Sequence, residues 1–450
     1  MRRGVWLLTL LLSACASLPA PRDPVGLSLV LGYGHEAEVE QAARLVGALE
    51  MEHLPALRAA RLRLPAGVTL EEARMRLRSL GLRYVEEEGT RAFRPLPEAW
   101  IPLGVHPYAW HLGAIRVAEA WALSDGAGVR VAVLDTGVDA SHPVFQGRVL
   151  PGLDAATDAP LPPGSDYSQG DWHGTHVAAL AVGKEVGVAP GALLLPVRVF
   201  SPDYVGDFRA AQALVWAVDQ GAQVINLSFG GPAYSQLLHE AVNYALERYR
   251  VVVAAAGNQG SVARFYPAAL PGVIAVGAAD GQGNPAWFSN RGPWVGVWAP
   301  GVRIYSAFPG GGYGLLSGTS MASPLAAGAA ALLKATRPLL EPYAVRQALG
   351  ATPVLDAAAA LQVPPAPRSA CFYLQVFWQG SGVAGADVSL EGPEVLYAQS
   401  NDKGETRFFQ IAPGTYRLRL AVSLPEGRVY REETLTLTSF CYAPTRILLP

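Results

Sequence analysis

The sequence predicts an α/β protein: a parallel sheet with helices on both faces fills the middle of the chain, a small α+β unit precedes it and a β-sandwich follows it. Three observations carry this. Between 129 and 349, short β-type apolar runs alternate with helix-length apolar patterns, as in a sheet buried on both faces. Between 26 and 95 the alternation of strand-like and helix-like stretches is shorter, and after 370 it becomes a succession of β-type runs broken by Gly, Pro and Asn-Asp turns. With 450 residues, half of them hydrophobic, the chain exceeds one ordinary domain and can bury a large core. A formal net charge of −2 argues against a broad cationic surface and so against a nucleic-acid partner.

Taken in order, residues 1–14 carry Arg2 and Arg3 and then an apolar run at 5–12, too short to span a bilayer, which reads as an export signal. Leu12-Ser13-Ala14-Cys15 resembles the bacterial lipobox. That resemblance implies cleavage before Cys15, lipidation of it and a membrane-anchored precursor; an ordinary signal cut after Ala16 or Ala20 is the alternative. In the unit at 26–95, strands are expected at 27–31, 57–64, 82–87 and 90–93, with helices at 36–49 and 70–80. Residues 96–111 are punctuated by proline and suit a linker.

The central domain, 112–361, has expected strands at 129–134, 192–200, 224–229, 251–255, 273–277 and 302–306. Its helices are expected at 173–182, 207–220, 235–249, 320–336 and 343–349. A proline-rich linker at 362–369 leads to the module at 370–450, with strands at 371–378, 386–390, 404–411, 414–420, 434–438 and 445–449. Cys371 and Cys441 bracket that module and, in an exported protein, are expected to form a disulfide.

The chemistry concentrates where strand ends meet helix openings. In Ser317-Gly318-Thr319-Ser320-Met321-Ala322-Ser323-Pro324 the chain turns from glycine-rich backbone into a helix that is apolar on every side, with Pro324 expected in its first turn. Ser320 there is either an N-cap or a hydroxyl beside backbone N–H groups able to stabilise an oxyanion. Asp135, Ser228 and Asn258 close strands, and His173 opens a helix, so the pattern brings all of them to the edge where ligands sit in such sheets. Serine is a weak nucleophile unless a base takes its proton, and the base needs a third group to hold its tautomer.

Asp135-Thr136-Gly137, His173-Gly174-Thr175-His176, Ala255-Ala256-Gly257-Asn258 and the Ser320 segment, in this order, make residues 110–352 resemble the subtilisin-like serine proteases, or subtilases. The resemblance implies a serine endopeptidase working through an acyl-enzyme, with protein or peptide substrates and no cofactor in its chemistry. Ser320 would be the nucleophile, His173 the general base, Asp135 the orienting carboxylate and His176 a structural histidine. Asn258 and the Ser320 N–H would form the oxyanion hole. Ser228-Phe229-Gly230-Gly231 would pair with an extended substrate, and Ala255, Ala256 and Gly257 would wall the pocket for the residue before the scissile bond. Small walls suggest a roomy pocket with broad or large-apolar preference.

By the same resemblance, 26–95 would be a ferredoxin-like propeptide, an intramolecular chaperone and inhibitor, released by a cut within 96–111. The alternative is a retained N-terminal domain. Gly385-Ala386-Asp387, Asn401-Asp402-Lys403-Gly404 and Pro413-Gly414 resemble the transthyretin-like modules attached to some carboxypeptidases. Where the family commonly has His-Pro-Asp-Leu, this chain has His142-Pro143-Val144-Phe145, which removes a carboxylate that often binds calcium. Asp154, Asp158 and Asp166 could hold a different ion, or simply solvate a loop. Two other readings compete with the protease: a catalytically silent binder on the same fold, and a serine esterase or amidase.

Overall fold

The computed structural model describes residues 27–92, 96–101, 109–200, 204–439 and 444–449. Cys15 and Cys441 lie outside them. Cys371 is buried in the Ala370–Trp378 strand.

The central sheet has eight strands, in the order Val297–Pro300, Ile274–Ala279, Val251–Ala255, Val224–Leu227, Arg130–Asp135, Leu193–Arg198, Gly152–Asp154 and Ala159–Leu161. All neighbours are parallel except the last pair. Side chains alternate faces along each strand. Val131 and Val133 pack on the helices His173–Val182 and Thr319–Thr336, while Ala132 and Leu134 pack on Asp207–Asp219 and Gln236–Glu247. Because both faces are covered, the strands read as continuous apolar runs. From Arg130–Asp135 the chain crosses to Leu193–Arg198 on one side, and then returns to Val224–Leu227 on the other. The carboxyl ends of the two strands at this reversal, Asp135 and the residue after Leu227, border the crevice where such sheets take ligands.

Two expectations need correction here. The apolar run near 302–306 forms the strand Ile304–Phe308, but it pairs antiparallel with Gly312–Ser317 in a separate sheet, and Val297–Pro300 takes the edge of the central one. The third strand of that small sheet is Leu96–Ile101, so the stretch expected to be a linker begins as a strand paired with Gly312–Ser317. Its partner is more than two hundred positions away, which no local pattern reveals.

The N-terminal unit is a four-stranded antiparallel sheet in the order Glu50–Leu54, Ala59–Arg63, Ser28–Gly32, Tyr84–Glu87. Helices Glu36–Val46 and Leu70–Leu77 share a core with one face, which gives the expected ferredoxin-like topology. Glu50–Leu54 was not anticipated, because its outer-edge residues are largely exposed and charged and show no apolar alternation. The other face, through Val30, Ala59 and Tyr84, joins the core beneath Asp207–Asp219 and Gln236–Glu247. The C-terminal module is two four-stranded sheets over one core, and two of their strands, Ser381–Gly382 and Val395–Gln399, lie outside the expected runs. It docks on the central domain through Arg346 and Glu394, whose Nη2 and Oε1 are 2.5 Å apart. Its Asp402 also reaches the outer edge of Tyr84–Glu87, donating from its N–H to the Arg83 carbonyl and accepting from the Val85 N–H.

Candidate functional site

Asp135 ends its strand, and His173 begins its helix thirty-eight positions later. Their approach depends on Gly174: a Cβ there would lie 2.1 Å from the Gly137 carbonyl oxygen, so only glycine lets the helix start sit against the Asp135 loop. His173 Nδ1 donates to Asp135 Oδ1 at 2.7 Å, with both residues buried. The same oxygen accepts from the Thr136 N–H at 2.8 Å. Asp171 Oδ1 accepts from the His173 N–H at 2.7 Å and from Thr136 Oγ1 at 2.9 Å, tying the helix opening to the strand end. With Nδ1 held as the donor, the imidazole presents Nε2 as its basic atom.

Ser320 lies in the helix Thr319–Thr336, whose N-cap is Gly318, so its hydroxyl is not spent as a cap. Pro324 is therefore inside the helix and past the first turn, contrary to expectation. The position has a use. A proline has no N–H to give the carbonyl four residues back, and that carbonyl, on Ser320, instead accepts from Ser228 Oγ at 3.0 Å. Asn226 holds Ser228 Oγ from the other side at 2.9 Å and accepts from Ser323 Oγ at 2.6 Å. This buried set fixes the helix start against the sheet. Ser320 Oγ itself donates to the Ser228 carbonyl at 3.1 Å.

Asn258 Oδ1 accepts from the Thr319 N–H and from Thr319 Oγ1, each at 2.9 Å, and Thr319 Oγ1 in turn accepts from the Gly257 N–H at 3.0 Å. With its oxygen engaged this way, the amide of Asn258 offers its NH2 end as a donor. Ser320 is second in its helix, where the backbone N–H has no intrahelical acceptor. The cleft is lined by Ser228, Phe229, Gly230, Ala255, Gly257, Asn258 and Ser320, all anticipated, together with Thr90, Ala92, Phe265 and Thr319. Ala256 is not among them: it is fully buried with Ala254 under the helices, because alternate residues of that run face opposite ways.

The other expected residues separate by environment. His176 is buried with Nε2 at 3.0 Å from the Ile304 carbonyl, and burial pushes its pKa down to about 3, so it stays neutral. Asp154 pairs with Arg198 at 2.8 Å, and Asp166 accepts from the Ser168 N–H. Among the described residues no three His, Cys, Asp or Glu side chains gather as a metal would require.

The edge segment is already paired with the chain's own N-terminal unit. Ala92 and Gly230 exchange both backbone hydrogen bonds, each at 3.1 Å, in antiparallel fashion. On the far side of the intervening residues, Leu96–Ile101 runs along Gly312–Ser317, the strand that leads into Ser320. The tail is anchored just upstream. The fully buried guanidinium of Arg91 is bidentate to Asp207 at 2.5 and 2.8 Å and donates to the Ala233 carbonyl at 2.6 Å. Glu86 accepts from Ser235 Oγ and from the Gln236 and Leu237 N–H groups at the opening of a helix, while burial and then the nearby Asp207 charge push its carboxyl up to about 7. Removing one partner of a buried ion pair costs about 3–5 kcal/mol, since the other charge is stranded. In a Ser320→Ala background, Asp207→Ala is therefore expected to speed hydrogen exchange across the strands at 28–63 while leaving Arg130–Asp135 unchanged. Equal exchange in both proteins would mean the pair does not hold the unit in place.

Residues 126–367 match the Subtilase family. Fervidolysin from Fervidobacterium pennivorans is 33% identical over 466 residues, covering 86% of this chain and 66% of that protein, just under two thirds of its length. Thermitase from Thermoactinomyces vulgaris is 42% identical over 226 residues, covering 49% of this chain and 79% of that protein. The crystal structure of fervidolysin, described as a keratinolytic enzyme related to subtilisin, superimposes with a TM-score of 0.83 at 29% identity, covering 94% of this chain and 79% of that one.

Proposed function

The chain belongs to the subtilase family of serine proteases, and on that premise we propose that it is an exported serine endopeptidase acting through Asp135, His173 and Ser320. The observation that carries the assignment is the buried 2.7 Å contact between His173 Nδ1 and Asp135 Oδ1, on a helix that shares its core with the one Ser320 opens. His173 Nε2 takes the Ser320 proton as Oγ, turning from the Ser228 carbonyl, attacks the substrate carbonyl. Asp135 stabilises the imidazolium that results. The carbonyl oxygen gains charge between Asn258 Nδ2 and the Ser320 N–H, and His173 then returns the proton to the leaving amine. Water repeats the sequence on the acyl-enzyme and regenerates Ser320. None of these steps calls for a cofactor.

An endopeptidase needs to hold extended peptides, and the Ala92–Gly230 pairing is what favours this reading over a small-ester hydrolase: Gly230 presents both backbone groups to a strand. The same pairing supports residues 26–95 as a propeptide that inhibits by lying in the cleft. We further propose that cleavage frees the enzyme from a lipid on Cys15, and that Cys371 and Cys441 form a disulfide in the exported protein. Casein hydrolysis by the purified chain, with labelling of Ser320 by an active-site serine reagent, tests the function; intact casein and no labelling would leave the silent-binder reading. Asn258→Ala is expected to lower kcat about a hundred- to a thousand-fold with little change in KM, because the lost donor acts on charge present only in the transition state. An unchanged kcat would remove Asn258 from the oxyanion hole.

A further inference from the structure

The pocket whose small walls suggest room is filled by Phe265, a residue outside the catalytic motifs. Gly230 and Gly257 face each other across it without side chains. Phe265 fills the space their side chains would take: a Cβ on Gly230 would lie 2.4 Å from Phe265 Cε1, and one on Gly257 would lie 3.0 Å from Phe265 Cδ1. One edge of the ring thus sits against both walls, and Phe265 is only 8% exposed. Its backbone is held on both sides. Tyr266 and Gly231 exchange hydrogen bonds of 2.7 and 2.8 Å, the Ala269 N–H donates to the Phe265 carbonyl at 2.8 Å, and the Tyr266 ring packs edge-on against Tyr234 at 5.4 Å. Beside the chain's own Thr90 and Ala92, the space left in the cleft is about 190 Å³.

Resting on the protease reading, we propose that Phe265 is a specificity-determining residue, and that the enzyme cleaves after small residues, alanine, glycine and serine, rather than after large apolar ones. A small side chain fits between Gly230 and Gly257 against the ring edge. A phenylalanine or leucine meets the ring, and the site must either displace it or leave the substrate side chain in water.

The test uses the full chain on peptide p-nitroanilides that differ only in the residue before the scissile bond. Burying an aromatic or leucine side chain is worth roughly 10- to 150-fold in an equilibrium constant, so an open pocket would favour phenylalanine over alanine by about that factor in kcat/KM, whereas the wild type is expected to lose this advantage and favour alanine. Phe265→Gly is expected to reverse the ratio by raising the phenylalanine substrate. Mapping the cuts that the wild type makes in casein by mass spectrometry reads the same preference without a variant, so a poorly folded Phe265→Gly protein does not shelter the idea. A wild type that prefers phenylalanine, or casein cuts mainly after large apolar residues, would overturn it while leaving the protease reading intact. Absence of hydrolysis of any peptide and of casein would overturn both.

Discussion

Ser320→Ala is expected to abolish casein hydrolysis, lowering turnover by about a million-fold, the scale reported by removing the nucleophile of a triad whose members act as a unit. The substitution removes one oxygen, which does not cap the helix and makes a single 3.1 Å bond, to the Ser228 carbonyl. The helix start is fixed instead by Ser228 Oγ on the Ser320 carbonyl and by Thr319 on Asn258. The loss of activity should therefore come without a change in fold, and near-normal circular dichroism and melting temperature would separate a chemical effect from a structural one. Self-cleavage should stop as well. Ser320→Ala protein should persist as a full-length, membrane-fractionating species, whereas the wild type should accumulate as a shorter soluble form. Casein hydrolysis by Ser320→Ala protein would remove Ser320 as the nucleophile, and a wild type still joined to Cys15 would mean that the N-terminal unit is a retained domain.

The second large effect is expected at Asp135. An asparagine preserves the size of the side chain but presents an amide where His173 needs an acceptor for Nδ1–H, which favours the wrong tautomer and withdraws the charge that stabilises the imidazolium; the corresponding change in a serine-protease triad costs about ten-thousand-fold. Asp135→Asn is therefore expected to lower kcat by about four powers of ten at neutral pH, with KM changed little because Asp135 is buried behind His173 and does not line the cleft. Active-site titration would count competent serines in the variant. Near-normal turnover would remove Asp135 from the catalytic group.

What could be read from the residues, and what could not, divides by the range of the interaction. The strand Val251–Ala255 and the helix His173–Val182 fall where their runs of apolar residues predict, because those patterns are local. Glu50–Leu54 and Leu96–Ile101 carry no local strand signal because each is a strand by virtue of its partner, the first on the exposed edge of a sheet and the second against Gly312–Ser317. The β-type run of Ile304–Phe308 predicts a strand but not its sheet, since such a run does not name its neighbour, and the strand pairs with Gly312–Ser317.

The site divides in the same way. Asp135, His173, Asn258 and Ser320 sit at the junctions where one kind of element gives way to another, and their side chains have the acid, base, donor and nucleophile chemistry that acyl transfer demands, so sequence alone nominated them. Tertiary structure alone decided what surrounds them. Thr319 positions Asn258 across sixty-one residues, Asn226 and Ser323 brace Ser228 across almost a hundred, and Pro324 matters because its missing N–H leaves the Ser320 carbonyl to Ser228. Ala256 turned away from the cleft and Phe265 turned into the space between two glycines because pocket shape depends on which face each side chain takes and on what stands opposite. Residue type and order determined the chemistry this protein is equipped for. The room left for a substrate was decided by packing between segments far apart in the chain, where sterics act through distance in space.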